Sequence, residues 1–245
     1  MPLAARLRTL ARNDVRLIGR DRFLLGCGAF ILLVSVIVRL VIPPLTTSLA
    51  GSGFDLRPYY PLLSSQVAIL TGPQLAGVVF GFTLLEARED GTLKAILVSP
   101  LRTSTYMAYR VGAAMALSFL VMPAMALIVG VGVPPLGALL PITFVGALVG
   151  AIWTLFIATF SDNKVQAFAL MKIVSGTGLI VLGAFFISEP WQFLAGAYPQ
   201  YWVAKAYWVA EAGGSEWWIH LLVGAVTMLG ALAYLVRRFL VVTHR

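Results

Sequence analysis

Six long apolar runs constrain this chain more than any motif it contains. They cover residues 23–42, 67–85, 107–129, 136–160, 165–187 and 217–236, and each approaches the ~20 residues that an α-helix needs to cross a bilayer core of ~30 Å. The runs are continuous rather than alternating, which points to a helical bundle and away from a β-barrel. With 60% of residues apolar and only 11% charged, the 245-residue chain is too greasy for a soluble domain. The expected class is an all-α integral membrane protein with six transmembrane helices, read as one domain over residues 1–245, since no repeat period and no linker divides it.

Orientation follows from the basic residues, because Lys and Arg in short loops stay on the cytoplasmic side. With both termini cytoplasmic, 14 of the 18 fall inside, including Arg88, Lys94, Arg102, Arg110 and Lys164. Arg57 and Lys205 fall outside, and Arg39 and Lys172 lie within spans. The expected location is therefore a cell membrane, crossed several times, and the net charge of +8 reflects topology. Nucleic-acid binding is a poor competitor, for no soluble basic domain is present to perform it.

Residues 1–22 read as an interfacial helix. On a helical wheel Leu3, Leu7, Leu10, Leu17 and Ile18 share one arc and Arg6, Arg8, Arg12, Arg16 and Arg20 the other, with Asp14 interrupting the apolar side. The competing reading, the basic leader of a cleaved signal peptide, suits so long a segment less well. Outside, residues 43–66 read as an ordered turn region. Residues 188–216, rich in Trp and Tyr, read as one or two short helices at, or dipping into, the outer interface; the alternatives are a plain aromatic belt and a lid over an exit path. The lone Cys27 excludes an internal disulfide.

The sharpest signal is the charged segment 86–101 between the second and third spans. The second span continues through Glu86, Arg88, Glu89 and Asp90 until Gly91 relaxes the helix. Thr92 then caps a short helix over residues 93–98, stopped by Pro100, whose apolar face is Leu93, Ile96 and Leu97. Such a helix suits docking into a partner's groove; the competing reading rests it on the inner leaflet. Among intramembrane groups, Lys172 either snorkels to the headgroups or joins a transport path with Ser175 and Thr177. Gly77 with Gly81, and Gly146 with Gly150, have the spacing that permits close helix contact, while Pro73, Pro123 and Pro141 are expected to kink their spans.

The run FGFTLLEAREDGTLKAILVSPLRTSTYMAYR, residues 80–110, resembles the ABC-2 type permeases, the six-span membrane subunits of ATP-binding-cassette exporters. The aromatic stretch PWQFLAGAYPQYWVAKAYW, the basic N-terminal helix and the topology are similar too, most of all to drug or fluoroquinolone export permeases of actinobacteria. The resemblance implies a coupling helix at Glu86, Glu89, Gly91, Thr92, Leu93, Ile96, Leu97 and Pro100. It implies two permease subunits, alike or related, lining the pathway for a lipophilic substrate, and an ABC ATPase subunit as partner. It also implies that ATP and Mg belong to that ATPase, with no cofactor on this chain. Independently, none of the four lysines follows a Gly, as a phosphate-cradling P-loop requires, so the chain lacks its own ATPase site. An embedded enzyme lacks the residues for catalysis; a non-transporting anchor or sensor for a soluble partner is the stronger rival.

Overall fold

The computed structural model describes residues 12, 19–20, 22–91, 103–176 and 178–243. Within them every regular element is helical. Helix α1 spans Arg22–Gly51. A 3-10 turn at Arg57–Tyr59, helix α2 at Tyr60–Ser65 and a π-helical turn at Gln66–Thr71 lead into α3 at Gly72–Glu89. Then come α4 at Thr103–Val129, α5 at Leu136–Gly146, α6 at Leu148–Phe160, α7 at Lys164–Gly176 and α8 at Gly178–Ala184. A 3-10 segment at Trp191–Ala197, α9 at Gln200–Glu211 and α10 at Trp217–Thr243 complete the chain.

Five helical stretches among the described residues are long and apolar enough to cross a membrane: Leu25–Gly51, Arg57–Glu89, Thr105–Val129, Leu136–Phe160 and Trp217–Val241. Their surfaces agree with that reading. Leu32, Leu33, Ile37 and Leu40 of α1, and Leu222, Val226 and Leu229 of α10, are exposed large apolar side chains, and contiguous patches of this kind need lipid or protein to cover them. The run at 165–187 is divided between α7 and α8, with Thr177 between them outside the described residues.

The bundle is organised around α3, which packs along α4 and α6 and is buried along most of its length. Small residues set that closeness. A Cβ on Gly77 would lie 2.5 Å from Trp153 Cβ and 2.6 Å from the Gly150 carbonyl oxygen, and one on Gly150 would lie 2.1 Å from Ser118 Oγ. Thr154 closes the seam by donating to the Gly77 carbonyl at 3.2 Å. One glycine of each pair noted in the sequence thus meets the other, Gly77 of α3 against Gly150 of α6, and α3, α4 and α6 all pack against one another.

Two expectations need correction. Residues 43–66 are mostly helical rather than a turn region: α1 runs through Pro43 and Pro44 to Gly51, and helical segments resume at Arg57. Each proline removes one intrahelical donor, and in the turn that follows Thr46 and Thr47 donate to the Ile42 and Pro44 carbonyls at 2.8 and 2.9 Å. Pro73 likewise sits at the start of α3, directly after the π turn, where the widened helix accommodates the missing N–H. The second concerns Arg110, which the sequence counts among the cytoplasmic cations although the apolar run 107–129 includes it. It lies inside α4 and is buried, 4% exposed. The interfacial helix expected at 1–22, with Asp14, lies almost wholly outside the described residues.

Candidate functional site

At the charged end of α3 three elements are locked together. The Arg88 guanidinium donates from Nη1 to the Ala158 and Ser161 carbonyls at 3.2 and 3.3 Å, and from Nη2 to Asp162 Oδ1 at 2.8 Å. It therefore satisfies open carbonyls at the C-terminus of α6, where a cation also meets the negative end of the helix dipole. Glu86 forms an ion pair with Lys164, the first residue of α7. The start of α7 is fixed by a reciprocal cap: the Gln166 N–H donates to Asn163 Oδ1 at 2.9 Å, and Gln166 Oε1 accepts from the Asp162 N–H at 2.8 Å.

Beyond this corner the helix stops as its sequence requires. Asp90 and Gly91 donate backbone N–H groups to the Glu86 and Arg88 carbonyls, and Gly91 adopts φ +70°, a left-handed conformation that suits glycine at a helix end. Of the expected coupling residues, Glu86 is held in the corner, Glu89 is exposed and Gly91 makes the turn. Thr92, Leu93, Ile96, Leu97 and Pro100 lie outside the described residues. Of the expected path residues, Lys172 is exposed on α7, while Thr177 and the side chain of Ser175 are outside the described residues.

Sequence reasoning missed the setting of Arg110. Its Nε donates to the Tyr106 hydroxyl at 2.9 Å and its Nη1 to Thr83 Oγ1 at 3.3 Å, with the guanidinium carbon 5.1 Å from the Tyr106 ring centre. A buried charge is costly unless it is hydrogen-bonded, and here the bonds that satisfy it tie α4 to α3. The four-residue spacing of Tyr106 and Arg110 was the available signal. Arg39 of α1 similarly donates to the Ile128 carbonyl at 2.9 Å, at the C-terminal end of α4.

The aromatic segment is built into the bundle. Tyr201 and Tyr207 of α9 are fully buried. The Tyr207 hydroxyl lies 2.7 Å from Ser64 Oγ, and Trp208 Nε1 donates to Ser65 Oγ at 2.7 Å. At its rim Lys205 donates to Glu189 Oε1 at 2.7 Å and to Gln192 Oε1 at 2.6 Å, and this hydrogen bond and charge hold the Glu189 carboxyl below the usual carboxylate range. Glu211, at the other end of α9, is pushed up by burial.

Between the start of α9 and helices α6 and α10 lies a cavity of about 310 Å³. Trp153, Phe156 and Phe160 of α6, Tyr234 of α10, and Tyr198 and Gln200 beside the α9 N-terminus line it. Its walls are almost wholly apolar, and Gln200 is the polar group at its α9 end. Among the described residues no group of three or more His, Cys, Asp and Glu is placed to hold a metal ion.

A family profile described as fluoroquinolones export permease protein, Rv2686c-like, matches residues 14–236. The chain belongs to that family. Two of its relatives are the fluoroquinolones export permease proteins MT2760 and Rv2686c, from the CDC 1551 / Oshkosh and H37Rv strains of Mycobacterium tuberculosis. Each is 34% identical over 239 residues, spanning 95% of this chain and 93% of the relative. As a member of this permease family with several long apolar helices, the protein is a multi-pass membrane protein. The coverage takes in the α3 corner, the α9 segment and the cavity alike.

Proposed function

We propose that this chain is the membrane subunit of an ABC exporter, moving lipophilic compounds such as fluoroquinolones out of the cytoplasm or inner leaflet while a separate subunit hydrolyses ATP. The observation that carries the reading is membership, across residues 14–236, of a family whose relatives are named fluoroquinolones export permeases. In this reading α7 and α8 together make a sixth crossing, both termini are cytoplasmic, and residues 1–22 lie along the inner leaflet. Two copies, or this chain and a related one, line the pathway among membrane lipid, and each docks an ABC ATPase that holds ATP and Mg.

Residues 86–101 form the coupling segment. The corner at Glu86 and Arg88 supports that role, because a lever transmits force only if its root is stiff, and here the root of α3 is tied to both α6 and α7. ATPase closure acting on Leu93, Ile96 and Leu97 would move three helices as one. Replacing Leu93 and Leu97 together with Asp should leave the protein in the membrane and the ATPase active, while cellular drug accumulation rises to the level of a strain lacking the pair. Normal export by that variant would remove the docking assignment. Accumulation that never depends on partner ATP hydrolysis would favour the anchor reading.

A further inference from the structure

The cavity between α6, α9 and α10 carries a feature that packing alone does not require. Gln200 is 5% exposed and lines it, and its amide Nε2 is buried with no hydrogen-bond partner among the described residues. A buried donor left unmet costs about 1–3 kcal/mol, and of the six buried side-chain polar atoms without a partner among the described residues, Gln200 Nε2 is the one whose residue lines this cavity. Gln200 is also the first residue of α9, a helix of 12 residues, so the positive end of that helix dipole faces the same space. Two independent features thus call for an acceptor oxygen at one end of an apolar chamber.

The remaining walls describe the rest of the ligand. Trp153, Phe156, Phe160 and Tyr234 present aromatic faces and edges, and a volume of about 310 Å³ is at the lower end of small-molecule sites. Phe160 and Tyr234 are exposed, at 37% and 60%, so the mouth opens sideways on the bundle surface, beside the exposed apolar face of α10. We infer that this cavity is a binding site for a flat aromatic molecule bearing a carboxylate, its rings against α6 and α10 and its carboxylate on Gln200 Nε2. Entry is lateral, from the lipid side. The inference deepens the export reading by assigning a substrate class and a place, and it rests on that reading only for the choice of probe.

The test is fluorescence titration of the full chain in lipid nanodiscs with a fluoroquinolone and with its decarboxylated analogue, which needs no ATPase. Gln200→Leu should weaken the fluoroquinolone about tenfold, the loss of one hydrogen bond to a charged group, and leave the analogue unchanged. The same variant should melt no lower than the parent, because the unmet donor is gone. Ala231→Phe and, on the facing wall, Ile152→Phe should weaken both probes by filling the chamber. Equal fluoroquinolone affinity in the parent and Gln200→Leu, or full binding by both filled variants, would overturn the inference and leave the space to lipid chains. The expected binding pattern without ATP-dependent export in cells would instead overturn the export reading and leave the site standing.

Discussion

Single residues decide how closely the central helices approach. In an exposed helix Gly→Ala gains roughly 0.5–1 kcal/mol of propensity, but a Cβ on Gly77 would collide with Trp153 Cβ and a backbone carbonyl, and neither can step aside. Overpacking costs about 1–3 kcal/mol, so the steric effect wins. Gly77→Ala should lower the melting midpoint in detergent, whereas Gly81→Ala, which meets only the Ile157 side chain at 3.0–3.2 Å, should lower it less. The rim pair gives a pH signature. Because Lys205 depresses the Glu189 pKa, the folded state binds fewer protons than the unfolded one. The pair's stabilisation is present above the ordinary carboxylate value of 4.5 and is lost as pH falls through the folded value. Melts of the parent should therefore decline more steeply below that pH than melts of Glu189→Gln.

At the scale of elements, the α3 corner matters more for rigidity than for stability. The Glu86–Lys164 pair is partly solvated, with side chains 27% and 44% exposed, and such pairs contribute little to folding. Its value is geometric: with Arg88 on Asp162, it makes α3, α6 and α7 move together. Lys164→Glu should therefore reduce transport with little change in melting, and adding Glu86→Lys should restore much of the transport by reversing the pair. A double variant as defective as the single one would remove the corner from the mechanism. Helix α9 shows the opposite economy of contacts, for its Tyr207 and Trp208 hydrogen bonds to Ser64 and Ser65 bind it to the end of α2. That makes it part of the bundle, a poor design for a freely swinging lid.

For the whole molecule, the proposed topology places the α3 corner in the cytosol and the α9–α10 turn outside. In a Cys27→Ser background, Glu89→Cys should react with an impermeant maleimide only in inverted vesicles, and Ser215→Cys only in intact cells. Residue 89 labelling from outside would reverse the topology and with it the coupling proposal.

The apolar runs, the cationic asymmetry and the stop at Gly91 were legible in the sequence because each follows from local rules: length against bilayer thickness, charge against hydrocarbon, and the dihedral freedom of glycine. Residues 43–66 were misread for the same reason, since prolines and glycines that signal a turn in isolation are held in helices by neighbours. Arg110 beneath Thr83, the meeting of Gly77 with Gly150 and the chamber around Gln200 join elements distant along the chain, the first pair 27 positions apart and the second 73. Local pattern determined that this chain is a stack of membrane helices with a charged elbow. Only tertiary packing decided which faces of those helices met, because burial and hydrogen bonding act between neighbours in space that no periodicity along the chain encodes.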